Sequence, residues 1–169
     1  MQLNEKSAEQ RLADLGMDDM PVMPVQVRPA TVSSDWFPQY KKLCRRFMET
    51  LTDSVSELAF LNLNQNEFIS LIMGRAMPDN LSIRFRIPLI WGGELKTENL
   101  FLCQTFPHSQ KLDQFIMEQS GNEIIWLPNP TKNVYVPAHT AGGGDGGNAT
   151  SDRLSQLAAQ IVAARGMEQ

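Results

Sequence analysis

The chain has 169 residues, 42% hydrophobic and 20% charged, which suits one domain with appendages and excludes wholesale disorder. A net charge of -4 and an isoelectric point near 5.2 remove any overall pull toward nucleic acid or anionic lipid, leaving local basic faces as the only route to such partners. No apolar run approaches the roughly 18 residues of a membrane span, and the polar N-terminus lacks a secretory apolar core, so a cytoplasmic location is expected.

Residues 5–15 have helical spacing, with Ala8, Leu12 and Leu15 on one side and Gly16 as a stop. About three turns are too few for a helix to stand alone, so it needs a surface to dock on. Pro21, Pro24 and Pro29 forbid a regular helix over 17–34 and favour an extended strip, to which Met17, Met20 and Met23 add adaptable apolar contact. Residues 1–34 therefore read as an N-terminal arm.

The core domain is expected over 35–137. Its clearest helix is 35–60, capped by Asp35, with Trp36, Tyr40, Leu43, Cys44, Phe47, Leu51, Val55 and Leu58 on one face. Lys41, Lys42, Arg45 and Arg46 occupy the opposite face, with Glu49 spaced to pair with Arg45. A second helix over 65–76 opens on the capping-box spacing of Asn64 and Glu67. Strict alternation predicts a strand over 81–91, a turn at Gly92-Gly93 and a return strand over 99–106. A third helix fits 109–120, capped by Ser109. Strands over 123–127 and 133–136 follow, joined by the turn Asn129-Pro130-Thr131-Lys132. The expected class is α+β, a small and mainly antiparallel sheet packed with two to three helices.

Residues 138–149 read as a glycine-rich linker, and 150–169 as a tethered helix with a narrow apolar stripe. The stripe comprises Leu154, Leu157, Ala158, Ile161 and Val162, with small neighbours that allow close approach by another backbone. A loose tether before such a helix suggests docking on a partner or on a second copy of the chain. The alternative is a helix folded back on its own core. The glycine run lacks the Lys-Ser/Thr pair of a phosphate loop, and Asp145 and Asp152 would repel a phosphate.

No reactive constellation stands out. Cys44 and Cys103 sit in apolar patterns and read as buried free thiols. His108 and His139 read as loop residues, and neither the cysteines nor the histidines have zinc spacing. A Cys103–His108 nucleophile and base is the one catalytic pairing to test by geometry. Residues 57–74 have helix-turn-helix layout, with Gln65, Asn66 and Glu67 at the reading position. Arg84 and Arg86 on the strand would extend the basic face of the first long helix.

The expected function is a non-catalytic subunit, adaptor or assembly factor held in a larger complex by its arms. The contacts would come from Leu12, Leu15, Met20 and Met23 at one end and from the C-terminal stripe at the other. Its partners would be other protein subunits or copies of itself, with no cofactor, metal or small-molecule ligand. The alternative is a small DNA-binding regulator using 57–74 with Lys41, Lys42, Arg45 and Arg46.

Overall fold

A computed structural model describes residues 5–17, 19–136 and 146–167. The architecture is mixed helix and antiparallel strand, as expected. The helices are α1 (Glu5–Asp14), α2 (Trp36–Thr50), α3 (Val55–Leu58), α4 (Gln65–Ile72), α5 (Gln110–Met117) and α6 (Gly146–Met167). The strands are β1 (Val22–Gln26), β2 (Leu81–Phe85), β3 (Leu100–Gln104) and β4 (Ile124–Pro128).

Antiparallel β2 and β3 form the centre, with Ile83 opposite Leu102 and Arg84 opposite Phe101. Because side chains alternate across a strand, these pairs point to opposite faces. Leu81, Ile83, Phe85, Leu100 and Leu102 join Leu43, Phe47, Phe68, Leu71 and Leu154 in one apolar cluster. Phe101 and Cys103 join Ala8, Leu12, Met17, Met20, Leu112 and Phe115 in a second. The central pair is thus covered by helices on both faces, with α1 and α5 on one side and α2, α4 and α6 on the other. Fully burying a side chain such as Phe101 or Leu102 stabilises by about 1.5–3 kcal/mol.

The N-terminal segment is part of this body, which corrects the expected arm. Val22 to Gln26 of β1 pair with Pro128 to Ile124 of β4, and Asn129 donates its N–H to Pro21 O at 2.8 Å. Pro24 stands opposite Trp126, whose N–H instead reaches Gln119 Oε1 at 2.7 Å. Pro24 therefore occupies a position that asks for no ladder donor, and its ring costs the pair nothing. The expected hairpin between 123–127 and 133–136 does not form. Residues 133–135 instead lie along β3 through a parallel bridge between Leu102 and Val134.

The long helix expected over 35–60 breaks after Thr50 into a 3-10 turn, Leu51–Ser54, before α3. The hydroxyls of Thr50 and Thr52 donate back to Phe47 O and Glu49 O, at 2.6 and 3.4 Å, in competition with regular helix geometry. Asp35 makes no capping bond and instead accepts from Ser33 and Gln39, which hold its carboxyl below the ordinary value. The capping box of α4 is complete, with Asn64 and Glu67 bonded reciprocally at 2.8 and 3.0 Å.

The strand predicted to Trp91 ends at Phe85. Arg86 makes the last ladder bond, to Asn99 O at 2.7 Å. Asn99 then uses its side chain to bond both Ile87 N and Ile87 O, at 2.9 Å each. Pro88 starts a 3-10 turn, Leu89–Trp91, and Gly93 packs so tightly that a Cβ there would lie 1.8 Å from Ile87 O. Residues 86–99 are consequently a folded loop, not the tight turn expected at Gly92-Gly93. Ser109 sits inside a wide turn, Thr105–Ser109, and does not cap α5; its hydroxyl accepts from Arg84 at 2.8 Å.

The C-terminal helix also packs on its own chain. Leu154 and Ala158 are buried in the first cluster, and Leu157 and Ile161 pack against it. Arg165 donates to Glu49 O and Ile72 O, while Arg153 donates to Gln65. The linker expected over 138–149 lies outside the described residues up to 145, and residues 146–149 are already helical. His139 also lies outside them.

Candidate binding surface

The residues expected to dock partners are mostly turned inward, which corrects their assignment. Leu12 is fully buried, Met20 is 3% exposed, Leu15 packs against the same cluster, and Met23 lines a cleft beside Arg86. Of the C-terminal stripe only Val162 is exposed, at 47%. It borders a groove between α6 and the turn preceding α3, where Ala158, Ala159 and Ala163 face Thr52 and Asp53. Ala158 packs closely on the domain, while Ala159 and Ala163 stay exposed along the groove.

The Cys103–His108 pairing, left to geometry to test, does not assemble. Cys103 is fully buried, and burial pushes its thiol up to about 12, so the reactive thiolate is suppressed. No hydrogen bond joins it to His108 among the described residues. His108 is itself buried, within the turn Thr105–Ser109, and its ring meets the Tyr135 ring edge-on at 5.4 Å. Tyr135 donates to Asp19 at 2.8 Å beside a hollow of about 240 Å³ lined by Pro21, Glu57, Phe60 and Lys132. Lys132 and Glu57 approach to 3.8 Å across it. No three His, Cys, Asp or Glu side chains are grouped to hold a metal among the described residues.

The helix-turn-helix layout is present in outline only. A left-handed Asn62 turns the chain between the 3-10 turn Ala59–Leu61 and α4. At the start of α4, Gln65 accepts from Arg153 at 2.6 Å and Glu67 serves the capping box. Two of the three side chains expected to read DNA are therefore engaged within the chain, and α6 lies across that helix end.

The basic face of α2 is different. Lys41, Lys42, Arg45 and Arg46 are all exposed, and none joins an ion pair among the described residues. The expected Arg45–Glu49 pair is not made. The first turns of α2 add an aromatic surface that residue spacing did not separate from core. Trp36 meets Phe37 at 5.5 Å and Tyr40 at 5.8 Å, and Tyr40 reaches Phe85 of β2 at 5.3 Å. Phe37 is 48% exposed, and Lys41 Nζ lies 4.9 Å from its ring centre. Cys44 is half-buried on the same helix, and burial raises its thiol above the ordinary value while the bond to Tyr40 opposes this.

Arg84 and Arg86 do not extend this face. They project from the other side of β2, where Arg84 donates to Ser109 and to Asp113 at 2.8 Å. Arg86 stacks on Phe101 at 5.5 Å and donates to Pro130 O at 2.7 Å. Both guanidinium groups tie the second cluster to its surrounding loops. No helix among the described residues is long and apolar enough to cross a membrane. No known family, curated protein or solved structure matches the chain.

Proposed function

We propose that the chain is a non-catalytic subunit or adaptor that docks an acidic partner protein through α2. The observation that carries this is the set of exposed, unpaired cations Lys41, Lys42, Arg45 and Arg46 beside the half-exposed ring of Phe37. A protein of net charge -4 that gathers positive charge on one helix creates a local field against its own average. Charge of this kind steers association and selects partners of opposite sign, while an adjacent aromatic supplies desolvated contact area. Docking through α2 replaces docking through the chain ends, whose apolar side chains are used within the domain.

The test is a quadruple charge reversal, Lys41→Glu, Lys42→Glu, Arg45→Glu and Arg46→Glu, in the full chain. Exposed pairs contribute about 0.5 kcal/mol each, so acidic-peptide affinity should fall roughly 30-fold with circular dichroism unchanged. Affinity for that peptide should also weaken as salt rises. Unchanged affinity would overturn the reading. Duplex DNA bound more tightly than the acidic peptide, with a steep salt slope, would favour the regulator instead.

A further inference from the structure

We infer that the outer edge of β2 accepts an extended acidic segment of the partner as an added strand. This rests on the docking reading above and names the way the partner is held.

The hydrogen-bond pattern identifies the edge. Thr105 N bonds Asn80 O at 2.9 Å and Arg86 N bonds Asn99 O at 2.7 Å, which places Ser82 and Arg84 in the bonded positions toward β3. Leu102 turns its own N–H and C=O the other way, to Asn133 O at 2.7 Å and Tyr135 N at 2.8 Å. Ile83 and Phe85 therefore direct their N–H and C=O groups away from β3. Neither residue finds a hydrogen-bond partner on that side among the described residues. Unpaired backbone groups are rarely buried, so this edge faces solvent or a partner.

The other edges are occupied or interrupted. The far edge of β3 carries residues 133–135. The far edge of β4 is clamped by Gln119, which bonds both Trp126 N and Trp126 O, at 2.7 and 2.9 Å. On β1 the outward position at the middle of the strand is Pro24, which has no N–H to offer. Folded proteins usually block their edges, so one whose outward donors run without such an interruption is a site for strand addition.

Charge and position choose the occupant. Phe85, at the end of the open edge, packs on Tyr40 of α2, the neighbour in the chain of Lys41, which brings the basic helix to the end of that edge. A second copy fits poorly. Two-fold pairing about Ile83 would set Phe85 opposite Leu81, whose N–H already reaches Pro78 O at 3.3 Å, and would bring two basic helices together. An acidic, extended partner segment meets neither obstacle.

The experiment uses the full chain labelled with ¹⁵N and a displayed library of eight-residue peptides in which glutamate alternates with randomised positions. Peptides recovered from the library are added back, and amide hydrogen exchange is followed at Ile83 and Phe85. The expected result is at least tenfold slower exchange at both amides. Nuclear Overhauser contacts from them to peptide Hα are also expected. N-methylation of alternate peptide residues should weaken binding at least tenfold, which tests the backbone pairing without disturbing the fold. Binding that is lost on Lys41→Glu plus Arg45→Glu but leaves both amides unprotected would overturn strand addition and leave docking through α2 standing. Protection indifferent to those two charges would overturn the acidic occupant. Failure to recover any peptide would overturn both.

Discussion

Shortening Leu154 to alanine separates a helix packed on its own domain from one held by a partner. Leu154 is 5% exposed and joins the cluster containing Leu43, Phe47, Phe68 and Leu71. Removing its outer carbons deletes buried apolar surface and leaves a cavity, which costs about 2–4 kcal/mol. Val162, eight residues further along α6, is 47% exposed, and its replacement by alanine should cost less than about 0.5 kcal/mol. Urea unfolding of the full chain, followed by far-UV circular dichroism and tryptophan fluorescence, measures both. The Leu154→Ala midpoint should fall with the urea slope unchanged, while Val162→Ala overlays the parent curve. Native stabilities are about 5–15 kcal/mol, so the first change should be plain. Equal and small effects of the two substitutions would refute packing of α6 on this core and restore the free docking helix.

Gln119→Leu leaves the Trp126 N–H and C=O without their side-chain partner and should lower stability by about 2–4 kcal/mol, read by thermal unfolding. Gly93→Ala drives a methyl group into Ile87 O and should cost at least about 2 kcal/mol, whereas Gly92→Ala, in open space at φ 91°, should cost about 1 kcal/mol. Cys103 should react with a thiol reagent at the rate of global unfolding and Cys44 should react sooner, as checked by mass spectrometry of partly labelled chains. The Cys103 thiol ionises near its ordinary 9.0 when unfolded and near 12 when folded, so the folded state retains the proton between those values. Its contribution to stability is therefore complete below about pH 9 and is lost as pH rises toward 12, a slope that Cys103→Ala should remove.

Much of the helical content was legible because its signals are local. The capping box at Asn64 and Glu67 and the spacing of Leu43, Phe47 and Leu51 need no distant partner to be understood. The break after Thr50 was also written locally, in the hydroxyls of Thr50 and Thr52, but the apolar periodicity running through it masks that signal. Strand partners were not legible. Alternation places Ile125 and Leu127 in a strand, yet pairing with β1 depends on Gln119 closing the far side and on Pro24 falling where no donor is needed. The prolines of 17–34 looked like those of a spacer for the same reason: one sequence suits a solvated strip or an edge strand, and only the neighbour decides. The cations of α2 were visible in the sequence. The seating of Lys41 over the Phe37 ring was not, because it depends on side-chain conformation and not on residue spacing.

Covering of the central strands from opposite ends of the chain also bears on biosynthesis. The side of β2 and β3 that receives α1 has that helix already made when the strands leave the ribosome and gains α5 directly afterwards. The side that receives Leu154 and Ala158 already has α2 and α4 but stays incompletely covered until α6 has been translated. Nascent chains stalled or cleaved before α6 would display an oily surface around Phe68 and Leu71, a ready substrate for chaperones and quality-control proteases. Docking of α6 is thus the step that closes this side of the central strands.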